Sequence, residues 1–375
     1  MKHIPHILHA KLAFALTCIA ALTGGCDRKI ESKSDSSPSS DVVSSATASS
    51  LPNPAESATA PQEATATRKD PIDALHQRTY TIEVQGDVVH AGTTAGVVTW
   101  DYSEQKKPRR LALSVLRNSV NHIARIQDTS LLVVSTGPSG VAIVDSKDAR
   151  EGNLALLNTH PWEPESRKQC HAAWRFVPNG PTQGYLACGG SGVVQLDISS
   201  RVKPVISKHA NVEGYVRDVA VLDATHVVAA AGRRGLAVVD MVAPQVVRKI
   251  SLEADVRGVE VRDGLAYVAA GEQGLVVVDV SGPSLQVVGR LLPKTIDLAR
   301  SVELSGSHAI LCLGDSGVAI VDVSDPKQPV ELGRYDPKGT VNRTTVSGNR
   351  LFLANDSDGI AILDLSNPKD LKPLL

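Results

Sequence analysis

The chain has 375 residues, enough for one large domain or for two or three small ones. Hydrophobic residues make up 42% of it and aromatic residues only 3%, so an aliphatic core is expected, which favours strands. The formal net charge is -1. Because there is no basic excess to neutralise phosphates, the composition argues against nucleic acid as a partner.

Residues 1–25 have the layout of a secretory signal, with a short basic segment before the apolar run Leu12–Gly24. The run leads into LTGGC, which resembles the bacterial lipoprotein signal; Thr23 departs from it, since Leu is more usual there. The resemblance implies lipidation of Cys26 with an acyl chain such as palmitate. It also implies an extracytoplasmic protein anchored in a bacterial membrane, on the periplasmic side or at the cell surface. An ordinary secretory signal cleaved nearby is the alternative.

Residues 26–75 are rich in Ser, Thr, Ala and Pro and contain few large apolar side chains. Such a segment cannot bury enough apolar surface to offset the entropy lost on ordering. The composition therefore predicts a disordered tether between the lipid anchor and a folded domain over residues 76–375.

That domain is built from internal repeats. A glycine opens a short apolar stretch about every 42 residues, and an aspartate follows each glycine by five positions. The glycines are Gly96, Gly140, Gly192, Gly235, Gly274, Gly317 and Gly359, and the aspartates are Asp101, Asp145, Asp197, Asp240, Asp279, Asp322 and Asp364. Each unit divides into four short strands, A to D, of which B and C are apolar on both faces.

Sheets covered on both faces and repeated seven times predict an all-β, seven-bladed β-propeller with four-stranded antiparallel blades. An open β-solenoid is the alternative, although neither terminal repeat is polar enough to cap it. The phase of the repeats leaves no strand to exchange between the first and last blades. DLKPLL is expected to supply the last outer strand, and side-chain packing is expected to close the ring.

The units GLVVVDVSGP, GVAIVDVSDP and GIAILDLSNP resemble the LVIVD repeat family, and the resemblance covers roughly residues 78–375. It implies a bacterial extracytoplasmic propeller and brings no catalytic residues with it.

Aligning the units on strand A predicts a polar, partly basic ring around one channel mouth, which the B–C turns also reach. The residues expected to bind there are His122, His171, Arg217, Arg257, Arg300, Arg233 and Arg234. Arginines and histidines that converge can hold a carboxylate, a phosphate or an acidic sugar. The alternative is structural: the arginines bond carbonyls of the next blade or pair with carboxylates such as Asp218 or Glu303.

The longest repeat step, between Gly140 and Gly192, contains an insertion with two tryptophans. Trp162 is expected either on an exposed loop that binds a partner or folded back over the blade edge, and Trp174 in the core. Cys170 and Cys188 are expected to face each other across a hairpin. They form a disulfide there or remain as two buried thiols.

No metal, cofactor or catalytic residue is predicted. GDSG at residues 314–317 is one copy of a recurring turn, and NDSDG at residues 355–359 lacks the later acid of a calcium loop. The expected function is a non-enzymatic binding or scaffold module, a monomeric propeller that contacts an envelope protein or glycan. The alternative is a propeller enzyme, a lyase or hydrolase, acting on an acidic saccharide or other small anion at the channel mouth.

Overall fold

The computed structural model describes residues 77–104, 107–158 and 162–375. In this part of the chain, 28 strands form seven four-stranded antiparallel sheets, each made of four consecutive strands. The first strands of the seven sheets lie next to one another around a central channel. The predicted seven-bladed β-propeller is confirmed, and the predicted signal peptide and tether lie outside the described residues.

The strands of each blade follow one another from the channel outwards. Blade 1 contains β1 (Thr79–Gln85), β2 (Val88–Thr93), β3 (Gly96–Asp101) and β4 (Arg109–Val115). Blade 2 contains β5 (His122–Arg125), β6 (Leu131–Ser135), β7 (Val141–Asp145) and β8 (Ala155–Leu156). Blade 3 contains β9 (Phe176–Pro178), β10 (Gln183–Ala187), β11 (Val193–Asp197) and β12 (Val205–Ala210). Blade 4 contains β13 (Asp218–Val221), β14 (His226–Ala230), β15 (Leu236–Asp240) and β16 (Gln245–Ile250).

The other three blades follow the same order. Blade 5 contains β17 (Gly258–Arg262), β18 (Leu265–Ala269), β19 (Leu275–Asp279) and β20 (Gln286–Leu291). Blade 6 contains β21 (Ser301–Ser305), β22 (His308–Cys312), β23 (Val318–Asp322) and β24 (Val330–Tyr335). Blade 7 contains β25 (Arg343–Ser347), β26 (Arg350–Ala354), β27 (Ile360–Asp364) and β28 (Lys372–Pro373), so the predicted last outer strand is present.

The repeated aspartate ends the third strand of every blade and shapes the turn that follows. In all seven blades its Oδ1 accepts the backbone N–H of the residue two positions later, at 2.7–3.0 Å. A short carboxylate that bonds its own backbone in this way holds the chain in a turn. The repeated Asp is therefore a structural residue of the third-to-fourth-strand turn and not a recurring ligand.

The core lies between neighbouring blades. One cluster combines Val228 and Val238 of blade 4 with Val268 and Val276 of blade 5, and all four side chains are fully buried. Second and third strands that are apolar on both faces can pack against a blade on either side. This packing explains why these strands show no polar–apolar alternation in the sequence.

The ring closes between blades 7 and 1. Phe352 of blade 7 packs with Ile82 and Tyr102 of blade 1, with the Phe352 and Tyr102 ring centroids 6.3 Å apart. The backbone N–H of Thr79 also donates to the carbonyl of Asp356 at 2.8 Å. The equivalent bridge joins other blades, for example Gly232 to Val256. Packing was the expected means of closure, and the backbone bridge adds to it.

The insertion before blade 3 contains one short α-helix, α1 (Pro164–Gln169). Cys170 ends this helix and forms a disulfide with Cys188, which directly follows β10. Cys170 therefore lies outside the hairpin in which it was expected, and the disulfide ties the insertion to blade 3. A short 3-10 helix spans Ala149–Glu151 in blade 2. Within the described ranges, no helix is both long and apolar enough to cross a bilayer.

Candidate functional site

Three of the five arginines predicted at the channel mouth, Arg217, Arg257 and Arg300, directly precede the first strands of blades 4, 5 and 6 and are engaged by carboxylates. Asp255 accepts from Arg217 Nη1 at 3.0 Å and from Arg257 Nε at 2.9 Å. Arg300 Nη2 lies 3.4 Å from Asp297 Oδ2. The structural alternative, in which the arginines pair with carboxylates, therefore describes them better than an open anion-binding ring. Their partners come from the loops that enter each blade and are not Asp218 or Glu303.

The two predicted histidines do not join that ring. Asn121 in blade 2 and Trp174 in blade 3 occupy the position that Arg217 has in blade 4. In each blade the backbone N–H of this residue donates to the carbonyl of the last residue of the second strand. His122 lies one residue further along, on β5, and lines the channel cavity. His171 is exposed three residues before Trp174, and its Nδ1 lies 2.5 Å from Ser191 Oγ. The alignment was therefore out of register in these two blades. His122 lies inside the channel, whereas His171 contacts Ser191 in the second-to-third-strand turn of blade 3, one of the turns predicted to reach the mouth.

Arg233 and Arg234 are exposed in the turn between the second and third strands of blade 4. They line a groove of about 970 Å³ together with Arg248 and Lys249. Glu213 is the only acidic residue that lines it, and it pairs with Arg234 at 2.9 Å and with Lys249 at 3.6 Å. With four basic residues and one acidic residue in its lining, this groove carries an excess of positive charge.

The two insertion tryptophans differ from expectation. Trp162 is 6% exposed and its indole packs over Gly140, so the interpretation as an exposed partner-binding anchor is wrong and the folded-back alternative describes it. Trp174, expected in the core, is half-buried and forms an edge-to-face pair with Tyr215, with ring centroids 5.8 Å apart. Tyr215 is 40% exposed, and the Arg217 guanidinium lies 5.1 Å from its ring centroid.

The channel holds charged residues that the sequence interpretation did not assign to a site. Arg175 donates to Asp218 at 2.8 Å and to Glu260 at 2.6 Å, joining three blades. Arg343 reaches from blade 7 to within 3.9 Å of the same Asp218 in blade 4. Because blades 4 and 7 stand on opposite sides of the ring, these contacts cross the channel. No sequence motif marks the cluster, since each member comes from a different repeat.

Burial controls the charge state of this cluster. It would lower the pKa of Arg175, but Asp218 and Glu260 outweigh burial and raise it, so this guanidinium stays charged. Burial, assisted by Arg343 and Arg175, lowers the pKa of His122 well below its usual value, so the imidazole is neutral at pH 7. Burial also raises the pKa of Glu303.

Below this cluster lies a cavity of about 960 Å³. Its walls come from the first strands of six blades, and its lining continues to Gln127–Ser130, the turn between the first two strands of blade 2. No residue of the second-to-third-strand turns lines it. The cavity therefore opens at the face opposite the predicted mouth, and the Arg175 cluster closes its inner end.

In the described ranges, no group of three or more His, Cys, Asp or Glu side chains is placed to hold a metal ion. The backbone carbonyl of Asp356, in the NDSDG turn, takes part in the bridge between blades 7 and 1.

A family model and two solved structures agree with this architecture. The LVIVD repeat matches residues 254–289, 298–337 and 338–372, which make up blades 5 to 7. No curated protein is significantly similar in sequence.

Among solved structures, the crystal structure of the computationally designed Ika8 protein superimposes with a TM-score of 0.57 and 12% identity, covering 79% of this chain and 86% of that one. PorZ, a surface component of the type-IX secretion system of Porphyromonas gingivalis, superimposes with a TM-score of 0.57 and 15% identity. The match covers 79% of this chain but only 38% of PorZ. At such identities the likeness shows the fold alone. The chain is thus a seven-bladed β-propeller that carries LVIVD repeats.

Proposed function

We propose that this chain is a non-enzymatic binding module of the bacterial envelope, held at a membrane by a lipid on Cys26 and the tether of residues 26–75. Its partner is an envelope protein or glycan with an acidic contact surface. The observation that carries the proposal is a partly exposed aromatic pair beside a basic groove on blades 3 and 4.

The aromatic pair has the properties of an interface anchor. Trp174 Nε1 donates to the Tyr215 hydroxyl at 3.0 Å, so both rings are fixed before a partner arrives. Trp, Tyr and Arg are the residues that most often dominate binding energy at protein interfaces. A preformed pair with Arg217 stacked on it loses little conformational entropy on binding.

The basic groove begins next to the aromatic pair, since Glu213 and Gly214 line it and Tyr215 follows them in the chain. In the described structure Arg233 has no ion-pair partner, and its guanidinium is free to meet a carboxylate of the partner. Glu213 balances only part of the charge of the four basic residues. Acidic groups on a partner would restore that balance and fix its orientation.

Crosslinking and pull-down from intact cells test this surface. The variant carries Tyr215→Ala, Arg233→Glu and Arg234→Glu; the matched control carries Lys327→Glu and Lys369→Glu, exposed positions in third-to-fourth-strand turns on the other face. We expect the wild type and the control to capture the same partner and the folded triple variant to lose it. Equal capture by all three proteins would show that this surface is not the binding site.

The anchor is tested separately. Cys26→Ser removes the thiol that a lipoprotein signal presents for lipidation, so the variant is expected in the soluble fraction while the wild type stays with membranes. A variant that remains in the membrane fraction would contradict lipid anchoring.

An enzyme acting on an acidic saccharide is the second candidate. It is favoured by one observation, a neutral and buried His122 in a deep cavity, since perturbed titratable groups cluster at catalytic sites. It requires turnover of anionic oligosaccharides that Arg343→Gln abolishes, whereas the binding module shows none.

A further inference from the structure

Two ionisable side chains in the channel have no hydrogen-bonded partner of opposite charge within the described structure. The nearest carboxylate oxygen to the Arg343 guanidinium is Asp218 Oδ2 at 3.9 Å, and Arg343 makes no hydrogen bond within the described structure. Glu303 accepts the backbone N–H of Val346 at 2.8 Å and the hydroxyl of Thr344 at 2.9 Å, but no cation pairs with it there. Both residues line the cavity, on neighbouring blades 6 and 7.

His122 adds an unsatisfied polar atom beside Arg343. Its side chain lines the same cavity, the residue is only 8% exposed, and Nδ1 has no hydrogen-bond partner. Leaving a buried polar atom unpaired is destabilising, so such atoms in native proteins usually have a partner. A ligand group between His122 and Arg343 would supply that partner.

The charges are sorted along the channel axis. Asp218 and Arg343 occupy the first paired positions of their strands, and Arg175 takes the equivalent place directly before β9. Glu260 and Glu303 lie two residues further along their strands. Alternate residues of a strand share a face, so these positions form two successive layers. The first layer holds two arginines and one aspartate. The second holds Glu260, Glu303 and Glu83. Arg125, three residues after His122 on β5, pairs with Glu83 at 3.1 Å.

The first layer therefore contains more basic than acidic side chains, and the second layer contains more acidic than basic ones. Glu260 of the second layer is already paired with Arg175 of the first, which leaves Arg343 and Glu303 as the residues that face each other across the layers. A simple anion would satisfy only the first layer, and a simple cation only the second. A ligand that carries both charges a few bonds apart satisfies the two layers together.

We propose that the channel cavity binds a small zwitterion such as a free amino acid, its carboxylate held by Arg343 and His122 and its ammonium group by Glu303. The volume of about 960 Å³ lies within the range of small-molecule sites. The cavity opens at the face opposite the aromatic pair, so the site is independent of the proposed partner surface.

Binding is measured on the purified full-length chain by thermal shift and isothermal titration. The probes are glycine, alanine, glutamate, lysine and phenylalanine, each compared with acetate and methylamine as half-ligands at the same concentration. We expect at least one amino acid to raise Tm and to bind at least about tenfold more tightly than either half-ligand, because only the zwitterion meets both layers.

Three variants locate the site. Arg343→Gln and Glu303→Gln are each expected to weaken amino acid binding at least about tenfold, since each removes one charged contact. Arg300→Gln, a matched arginine at the mouth and outside the cavity, is expected to bind like the wild type. Circular dichroism and the Tm without ligand verify folding. If Arg343→Gln does not fold, the proposal is still tested by Glu303→Gln and by comparing amino acids with acetate and methylamine as ligands of the wild type.

Two results would overturn the proposal. One is the absence of binding by every amino acid in the panel. The other is acetate binding as tightly as the amino acids with Glu303→Gln unchanged, which would identify a simple anion site. Neither result affects the partner surface, since its variant changes none of these residues.

Discussion

His90 lies in the buried hairpin of blade 1, where its Nδ1 is 2.8 Å from Thr99 Oγ1. Burial, with a smaller effect of Arg125, lowers its pKa to about 4. In the unfolded chain the same imidazole titrates near its ordinary value, so between these two pKa values the unfolded state binds the proton and the folded state does not. The contribution of His90 to the free energy of unfolding is therefore fully present above the pKa of the unfolded chain. It is lost as the pH falls through the pKa of the folded protein.

His90→Gln tests this linkage. Between pH 7 and pH 4 we expect the wild type to lose roughly 3 kcal/mol of unfolding free energy through His90. The variant has no imidazole at this position, so its unfolding free energy should not show this loss. Urea unfolding of both proteins across this range gives the difference. Burial raises the pKa values of Glu83 and Glu303, which favours folding at low pH, but these groups are common to both proteins and cancel. Curves that stay parallel would contradict the prediction.

At the scale of the strand and turn, the repeated residues could be predicted and the individual ones could not. The Gly and Asp of each repeat act locally, so their spacing predicted the third strand and its turns in all seven blades. Arg175, Glu260 and Arg343 are single residues of different repeats that meet only across the channel. No local pattern identifies such a cluster, because its members are related by the closure of the ring and not by position in the repeat.

A second repeated contact joins the outer strand of one blade to the next. Gly289 in β20 packs against the carbonyl oxygen of Pro326, and Gly333 in β24 packs against that of Pro368. A Cβ at either glycine would overlap the carbonyl oxygen. The glycine of the outer strand and the proline after the third strand therefore form one inter-blade contact.

Gly333→Ala is expected to destabilise the protein by about 1–3 kcal/mol, because a rigid backbone atom must move to admit the methyl group. Gly282→Ala is the control, since a Cβ at Gly282 meets only ordinary van der Waals contact. Thermal unfolding of both variants measures the difference. Equal Tm values would show that the blades separate freely at this contact.

The insertion before blade 3 was recognised from the repeat spacing, but its conformation was not. The short helix α1 has no buried residue, so it lacks the apolar periodicity by which a helix is predicted. The disulfide between Cys170 and Cys188 and the packing of Trp162 over Gly140 hold it against the blades.

Counting the free thiols of protein isolated from cells tests whether the disulfide between Cys170 and Cys188 forms there. In denatured, unreduced protein that carries its lipid, we expect one reactive thiol, Cys312, whose pKa burial raises to about 11 in the folded state. Folded protein should therefore react much more slowly than denatured protein. Three reactive thiols after denaturation would contradict the disulfide.

Across the whole molecule, the ring has one junction that the chain does not connect. Each other pair of neighbouring blades is joined by a peptide linker, whereas blades 7 and 1 are held by the Phe352 cluster, the Thr79–Asp356 bridge and an ion pair of Arg350 with Asp87 at 3.0 Å. No strand is exchanged there among the described residues. Loss of packing at this junction can therefore open the ring, while loss at another junction leaves the two blades tethered.

Phe352→Ala tests the junction against Leu311→Ala, which truncates a fully buried side chain between blades 5 and 6. Large-to-small substitutions at such sites cost about 2–5 kcal/mol, so both variants are expected to lose comparable stability.

Hydrogen exchange distinguishes the two variants. In Phe352→Ala, the amides of β1, β2, β25 and β26 should lose protection while those of blades 3 and 4 keep it, because opening at an untethered junction is a local event. In Leu311→Ala the linker restrains the blades, so protection should fall more evenly. The same even pattern in Phe352→Ala would mean that the ring unfolds as one cooperative unit and that its closure is as strong as the covalent junctions.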